Sequence, residues 1–310
     1  MYRAGGMAAG PRTIETAVIR GVTAAWVRRT VQRGGVPRNN AGRSGSRVTR
    51  GDAETAAPDD GGVDVARRRI RLPGQETLLA CWRALTQLSP GARVVTFAHA
   101  VAAVFPSWAP LNNAVLFDPS DGARTAAAVS RLTGVYADAA VDGWALWLPS
   151  GATDFDAPDE VTGVAGLKRD TTTLVMRASL SGERRAHDAV LRTSIAAATC
   201  AAGDEPIPVA DLPDPDRVPG LSAWVLVHDG MAVAGAWSFL HGSDCGIYTV
   251  GTLPQGRRRG FAGALTDHLL ADAQRRGART ATLQSTRMGL RMYVSLGFAP
   301  VGRYEEWVSR

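Results

Sequence analysis

The chain is 310 residues long, room for two domains of ordinary size, and its 45% hydrophobic against 21% charged residues supply enough apolar surface to exclude global disorder. No apolar run approaches the roughly 20 residues of a membrane-crossing helix, and the start lacks the charged, apolar and small-residue order of a secretory signal, so a soluble cytoplasmic protein without a membrane partner is expected. The formal charge of +6 is local: residues 1–71 hold 14 Arg against 6 acidic side chains, which leaves 21 basic against 23 acidic in the rest.

Lys168 is the only lysine. A basic count made almost wholly of Arg speaks of codon composition rather than of a phosphate-binding surface, and nucleic acid is an unlikely partner. Cys81, Cys200 and Cys245 have none of the paired short spacings of zinc or redox motifs, so neither a disulfide scaffold nor a structural metal is implied.

In chain order, residues 1–71 read as a disordered Arg-rich tail, with Gly, Ala, Asp and Ser but few large apolar residues. Within it, Ile14 to Arg33 has the spacing of a short amphipathic helix, read either as a transient helix or as a membrane- or RNA-binding arm. From Leu72 the chain becomes globular. Leu78, Leu79, Trp82, Leu85 and Leu88 place a helix over Gln75 to Leu88, stopped at Ser89-Pro90-Gly91. Ala123 to Tyr136 is a second helix, and Gly143 to Pro149 and Thr171 to Leu180 read as strands. This 72–185 segment carries no chemical motif. The proline- and acid-rich stretch from Gly203 to Gly220 is expected to be a loop.

The last third is the informative part. Leu221 to His228 and Met231 to His241 form a hairpin closed at Asp229-Gly230, because Gly tolerates positive φ in a tight turn. Cys245 to Leu253 is a third strand. Phe261 to Arg276 is a helix with Phe261, Leu265 and Leu269 on one face, stopped by Gly277. Arg279 to Ser285 is a strand, Arg287 to Leu296 a helix, and Phe298 to Val308 a final strand.

Arg257-Arg258-Arg259-Gly260-Phe261-Ala262 lies where a strand hands over to a helix. The first turn of a helix has amides without intrahelical partners and a partial positive charge, so it accepts a phosphate or pyrophosphate readily. Gly260 and Ala262 keep bulk away, and the arginines add charge. Taken alone, such a turn is more often a solvated connection. It is neither the Gly-x-x-x-x-Gly-Lys-Ser/Thr loop of NTPases nor the Gly-x-Gly-x-x-Gly of dinucleotide folds.

In its context this turn resembles the Arg/Gln-x-x-Gly-x-Gly/Ala signature of the GNAT superfamily of acetyl-CoA-dependent N-acetyltransferases, here Arg257-x-x-Gly260-x-Ala262. Ile247-Tyr248-Thr249-Val250-Gly251-Thr252-Leu253-Pro254 looks like the family's preceding strand, and Tyr293-Val294-Ser295-Leu296-Gly297-Phe298 like its Tyr-x-x-Leu-Gly-Phe block. The resemblance is clearest over residues 245–307. It implies an α/β GNAT fold over 186–310, a central mixed, mostly antiparallel sheet flanked by helices, preceded by a smaller α/β domain at 72–185. That domain resembles the degenerate N-terminal half of some tandem GNAT proteins. It lacks the turn and is expected to buttress the second domain or line the acceptor site rather than bind a cofactor.

The same resemblance implies that acetyl-CoA, the co-substrate, enters a V-shaped opening between two strands. Val250, Gly251 and Thr252 would offer backbone hydrogen bonds to the pantetheine arm. Arg257, Arg258, Arg259, Gly260, Phe261, Ala262 and Gly263 would hold the pyrophosphate, and no metal is needed. A small-molecule or protein amine attacks the thioester directly, and Tyr293 matches the family's general acid; spacing alone favours Tyr293 as a core residue on one helix face with Leu290 and Leu296. The residues present no obvious base: His228, His241, Asp244 and His268 read as structural or solvated, while Gln284, Ser285 and Thr286 are weak candidates for polar contacts. Two functions stay open, an N-acetyltransferase and a non-catalytic acyl-CoA-binding regulatory module.

Overall fold

The computed structural model describes residues 71–119, 121–159, 161–203 and 206–309. The Arg-rich tail, apart from Arg71, lies outside them, and with it the Ile14 to Arg33 helix. The elements are α1 (Gln75–Leu85), β1 (Arg93–Thr96), β2 (Ala100–Val104), β3 (Asn113–Leu116), α2 (Gly122–Asp138), β4 (Ala145–Ser150), β5 (Leu167–Ser179), β6 (Val190–Thr193) and α3 (Ile195–Gly203). There follow β7 (Ile207–Pro208), β8 (Leu221–His228), β9 (Met231–His241), β10 (Asp244–Thr252), α4 (Phe261–Arg275), β11 (Thr280–Ser285), α5 (Leu290–Ser295) and β12 (Ala299–Ser309). Among the described residues no helix is long and apolar enough to cross a membrane.

One sheet runs through all of this, in the order β1-β2-β3-β4-β12-β5-β11-β10-β9-β8-β6, with β7 on β9. Read inward from β1 and from β8, the two halves repeat. Each begins with antiparallel neighbours, β1-β2-β3 and β8-β9-β10. Each then has a parallel pair joined through a helix, β3-α2-β4 and β10-α4-β11. Each finally takes an antiparallel strand from the other half: β12 beside β4, and β5 beside β11. The exchanged strands pair with one another at the centre. A sequence boundary at residue 186 therefore divides the chain but not the sheet.

Alternation along the strands gives each face its own core. Under α1 and α3 lie Leu78, Trp82, Val101, Ile195, Trp237 and Tyr304. On the other face α2 covers Leu116 and Leu146, and α4 covers Ile247 and Leu283. Two glycines let α3 lie directly on the sheet: a Cβ on Gly235 or Gly251 would run into the carbonyls of Ala198 or Ala202. At the sheet's centre Arg303 is fully buried. It is held by Glu305 at 2.6 Å and by the carbonyls of Ala157 at 2.7 Å and Pro158 at 2.8 Å, which fixes the loop after β4 across the strands.

Against the sequence expectation, the helix placed over Arg287 to Leu296 begins only at Leu290, after turns, and the first helix finishes in a 3-10 turn over Thr86–Leu88. The strand expected from Thr171 begins at Leu167. β1, β2, β3, β6 and α3 were not expected as separate elements.

Candidate functional site

The site starts from a divergence of two strands. β10 and β11 pair in parallel from Asp244↔Thr280 to Ile247↔Leu283, and the pairing stops there. Beyond that point β10 bulges between Tyr248 and Gly251, with Thr249 at φ +54°, and then resumes its ladder with β9 through Gly251↔Gly235 and Thr252↔Ala234. A bulge bends its strand. Here it leaves Val250, Gly251 and Thr252 on one lip of an opening whose other lip is Gln284 and Ser285. Gly251 owes its identity to α3, whose backbone presses on its Cα.

Below the lip, the turn Pro254–Gly256 leads to Arg257–Gly260 and into α4. Gly260 is the N-cap at φ +81°, with no side-chain cap, and Arg258 is also left-handed at φ +59°. The first hydrogen bond of the helix runs from the Ala264 amide to the Gly260 carbonyl, 3.0 Å. Among the described residues no partner is found for the amides of Arg258, Arg259, Gly260, Phe261, Ala262 and Gly263. A Cβ on Gly260 would meet open space. These amides and the helix dipole form a cradle for an anion.

The corresponding helix of the first half differs. α2 is capped by Asp121, whose carboxylate accepts from the amides of Ala123 and Arg124, 3.1 Å each. Where α4 offers bare amides, α2 has filled its own N-terminus with a negative charge.

The three arginines do different things. Arg257 turns back to the Thr252 carbonyl at 3.3 Å, and Arg259 donates to His228 Nε2 at 2.7 Å and lies 5.0 Å from the centre of the Phe261 ring. Arg258 has no hydrogen-bond or ion-pair partner among the described residues. The His228 contact joins segments some thirty residues apart, which no local pattern reveals.

Tyr293 is 7% exposed, edge-on to Phe298 with ring centres 5.8 Å apart. Burial pushes its phenol up to about 12, so it is protonated at neutral pH. A Cβ on Gly289 would lie 2.9 Å from the Tyr293 ring and 3.3 Å from Ser285 Oγ, which places the phenol ring beside the end of β11. A Cβ on Gly263 of α4 would likewise lie 3.9 Å from Met292 Cγ of α5. Lip, cradle and Tyr293 are thus neighbours. The Ser285 hydroxyl donates to the Thr286 carbonyl at 2.9 Å.

The other polar candidates lie apart. Asp244 accepts from Thr77 and Thr280, both at 2.7 Å, and from Thr282 at 2.9 Å, which ties α1 to β10 and β11. His268 accepts the His187 amide on Nδ1 at 3.0 Å and packs on Trp224, with ring centres 4.7 Å apart. Burial, with Arg275 adding to it, holds it below the usual imidazole range, so it is neutral near pH 7. His241 is exposed. Among the described residues no group of three His, Cys, Asp or Glu could hold a metal.

Residues 193–298 match the model of the acetyltransferase (GNAT) family. No curated protein matches the chain. Among solved structures, a GCN5-related N-acetyltransferase from Kribbella flavida is 20% identical over 74% of this chain and 95% of its own, with a TM-score of 0.51, a likeness of fold that reaches beyond the matched segment. A putative GNAT-family acetyltransferase from Novosphingobium aromaticivorans is 18% identical over 74% of this chain and 96% of its own, TM-score 0.47. A tandem GNAT protein from the clavulanic acid biosynthesis pathway is 14% identical over 71% and 84%, TM-score 0.45. Residues 193–298 are an acyltransferase domain of the GNAT family.

Proposed function

We propose that the chain transfers an acetyl group from acetyl-CoA to an amine by direct attack, using the cleft between β10 and β11. The observation that carries this is the uncapped N-terminus of α4, with left-handed Arg258 and Gly260 and the unpartnered amides of Arg258 to Gly263, set beside a strand bulged open at Thr249. Such a cradle fits a diphosphate, and the edge of Val250 to Thr252 fits the amide-bearing pantetheine arm. The acyl donor supplies an activated thioester. The chain's own residues hold it, orient it, and keep a proton ready on the Tyr293 hydroxyl for the departing thiolate.

Titration of the full chain with acetyl-CoA in a calorimeter tests the binding half. Charge-assisted hydrogen bonds contribute roughly 1.5–3 kcal/mol each, so Gly260→Glu, which puts a carboxylate into the cradle, is expected to weaken acetyl-CoA at least about tenfold. Unchanged affinity in that variant would sink the assignment. For the chemical half, Tyr293→Phe is expected to lower kcat by about tenfold to a hundredfold while leaving acetyl-CoA affinity intact. Equal and negligible CoA release by both forms across an amine panel would instead leave an acyl-CoA-binding module.

A further inference from the structure

The hairpin of β8 and β9 ends beside the start of α4, and His228, the last residue of β8, carries the contact between them. Its ring centre lies 5.1 Å from that of Phe261, the first residue of α4. Arg259, one position before the Gly260 cap, joins both rings: its guanidinium lies 5.0 Å from the centre of the Phe261 ring and reaches His228 Nε2 at 2.7 Å. A guanidinium can only donate, so Nε2 must offer a lone pair, and the imidazole in this arrangement is neutral with its proton on Nδ1.

The same nitrogen has a second neighbour with the opposite demand. Asp229, in the hairpin turn, brings Oδ2 to 3.2 Å from Nε2. A carboxylate can only accept, so this contact is favourable only when Nε2 carries a proton, and Arg259 then has nothing to donate to. One atom thus has two mutually exclusive partners, and its proton decides between them. The His228 side chain is 33% exposed and that of Asp229 86%, so the exchange disturbs no core packing. Two further charged side chains come near this end of the hairpin. Asp211 closes a short turn whose Val209 amide donates to the Gly230 carbonyl at 3.0 Å, and Asp188 precedes Ala189, whose carbonyl accepts from the Val227 amide at 2.8 Å. Among the described residues neither pairs with His228.

We propose that His228 is a positioning residue of the anion cradle and that it couples donor binding to the uptake of a proton. Neutral His228 holds Arg259 over Phe261 at the rim of the cradle. A diphosphate seated on the amides of Arg258 to Gly263 draws the guanidinium to its own oxygens, which are stronger acceptors than an imidazole nitrogen. Nε2, released, takes one proton from the solvent and turns to Asp229. Binding that takes up a proton is strengthened as the pH falls through the range in which imidazoles change charge, about 5 to 8. Naming the anion as the diphosphate of an acyl donor rests on the acetyltransferase reading above.

The test is calorimetric titration of the full-length protein with acetyl-CoA at pH 6 and pH 8, in buffers of different ionisation enthalpy, so that the protons taken up are read with the affinity. His228→Gln is the decisive variant, because Gln still offers Arg259 an acceptor but cannot titrate, and a merely structural role would survive in it. The ratio of affinities, pH 6 over pH 8, is expected to be larger in the wild type than in this variant by about threefold, the scale of one exposed ion pair. The wild type is also expected to take up more protons; the ligand's own titration is common to both proteins and cancels. Asp229→Asn, which the left-handed turn at φ +50° accepts, is expected to lose most of the excess uptake. The same pH ratio and proton uptake in wild type and His228→Gln, or an excess undiminished in Asp229→Asn, overturns the coupling. Inorganic pyrophosphate, titrated in parallel, separates the two readings: His228-dependent uptake with pyrophosphate but no acetyl-CoA binding removes the acetyltransferase and keeps the coupling, whereas binding of neither probe removes both.

Discussion

Glu306 and Tyr293 show how one force, burial, serves two ends at the scale of single residues. Burial raises both groups, which leaves the phenol of Tyr293 a firm proton holder and the Glu306 carboxyl poised near neutrality. The Glu306 value carries a stability consequence. Its folded carboxyl binds a proton more tightly than the unfolded one, so its contribution is present below the ordinary carboxylate range and is lost as pH rises from about 4.5 through about 7. Glu306→Gln is therefore expected to raise the melting temperature by a few degrees at pH 8 and to leave it nearly unchanged at pH 4.5, measured by thermal unfolding at the two pH values. A variant equally stable or less stable at pH 8 would show that the carboxyl is not held at a cost.

Among the elements, helix N-termini and glycine contacts carry the argument. α2 spends its N-terminus on Asp121, whereas α4 keeps its own open at Gly260, and the proposed function rests on this contrast between the two halves. The close seat of α3 on β9 and β10 fixes the bulged lip from behind. Gly251→Ala drives a methyl into the Ala202 carbonyl, and overpacking of this kind costs typically 1–3 kcal/mol. A loss of that size in urea unfolding, together with weaker acetyl-CoA binding, is expected. The elements that sequence did not reveal fail for a related reason. β2, Ala-Val-Ala-Ala-Val, and α3, Ile-Ala-Ala-Ala-Thr-Cys-Ala-Ala-Gly, are small and apolar on nearly every side. An element buried on all sides shows no amphipathic period.

For the whole molecule the decisive fact is the exchange of β5 and β12. The family match begins at residue 193, yet β11 in that segment finds its antiparallel partner in β5, and β10 is tied to α1 through Asp244 and Thr77. Residues 186–310 expressed alone would expose the edges of β11 and β12, and unpaired edges invite aggregation. That fragment is expected to be insoluble or to lack acetyl-CoA binding, and co-expression with residues 71–185 to restore both, read by gel filtration and calorimetry. A soluble, acetyl-CoA-binding 186–310 fragment would show that the exchanged strand is dispensable.

What the sequence by itself determined was local: the hairpin at Asp229-Gly230, the turn from Arg257 to Gly263 with its helix, the Tyr293 block and hence the family. Each depends on neighbours within a few positions, where turn chemistry and helix periodicity act. Only the tertiary structure decided that the 72–185 segment shares the sheet, that His228 reaches Arg259, that Asp121 closes the twin of the α4 cradle, and that Glu306 stands opposite Trp147. Those facts come from strand pairing between residues far apart in the chain. The pairing is set by how whole faces bury one another rather than by any short pattern.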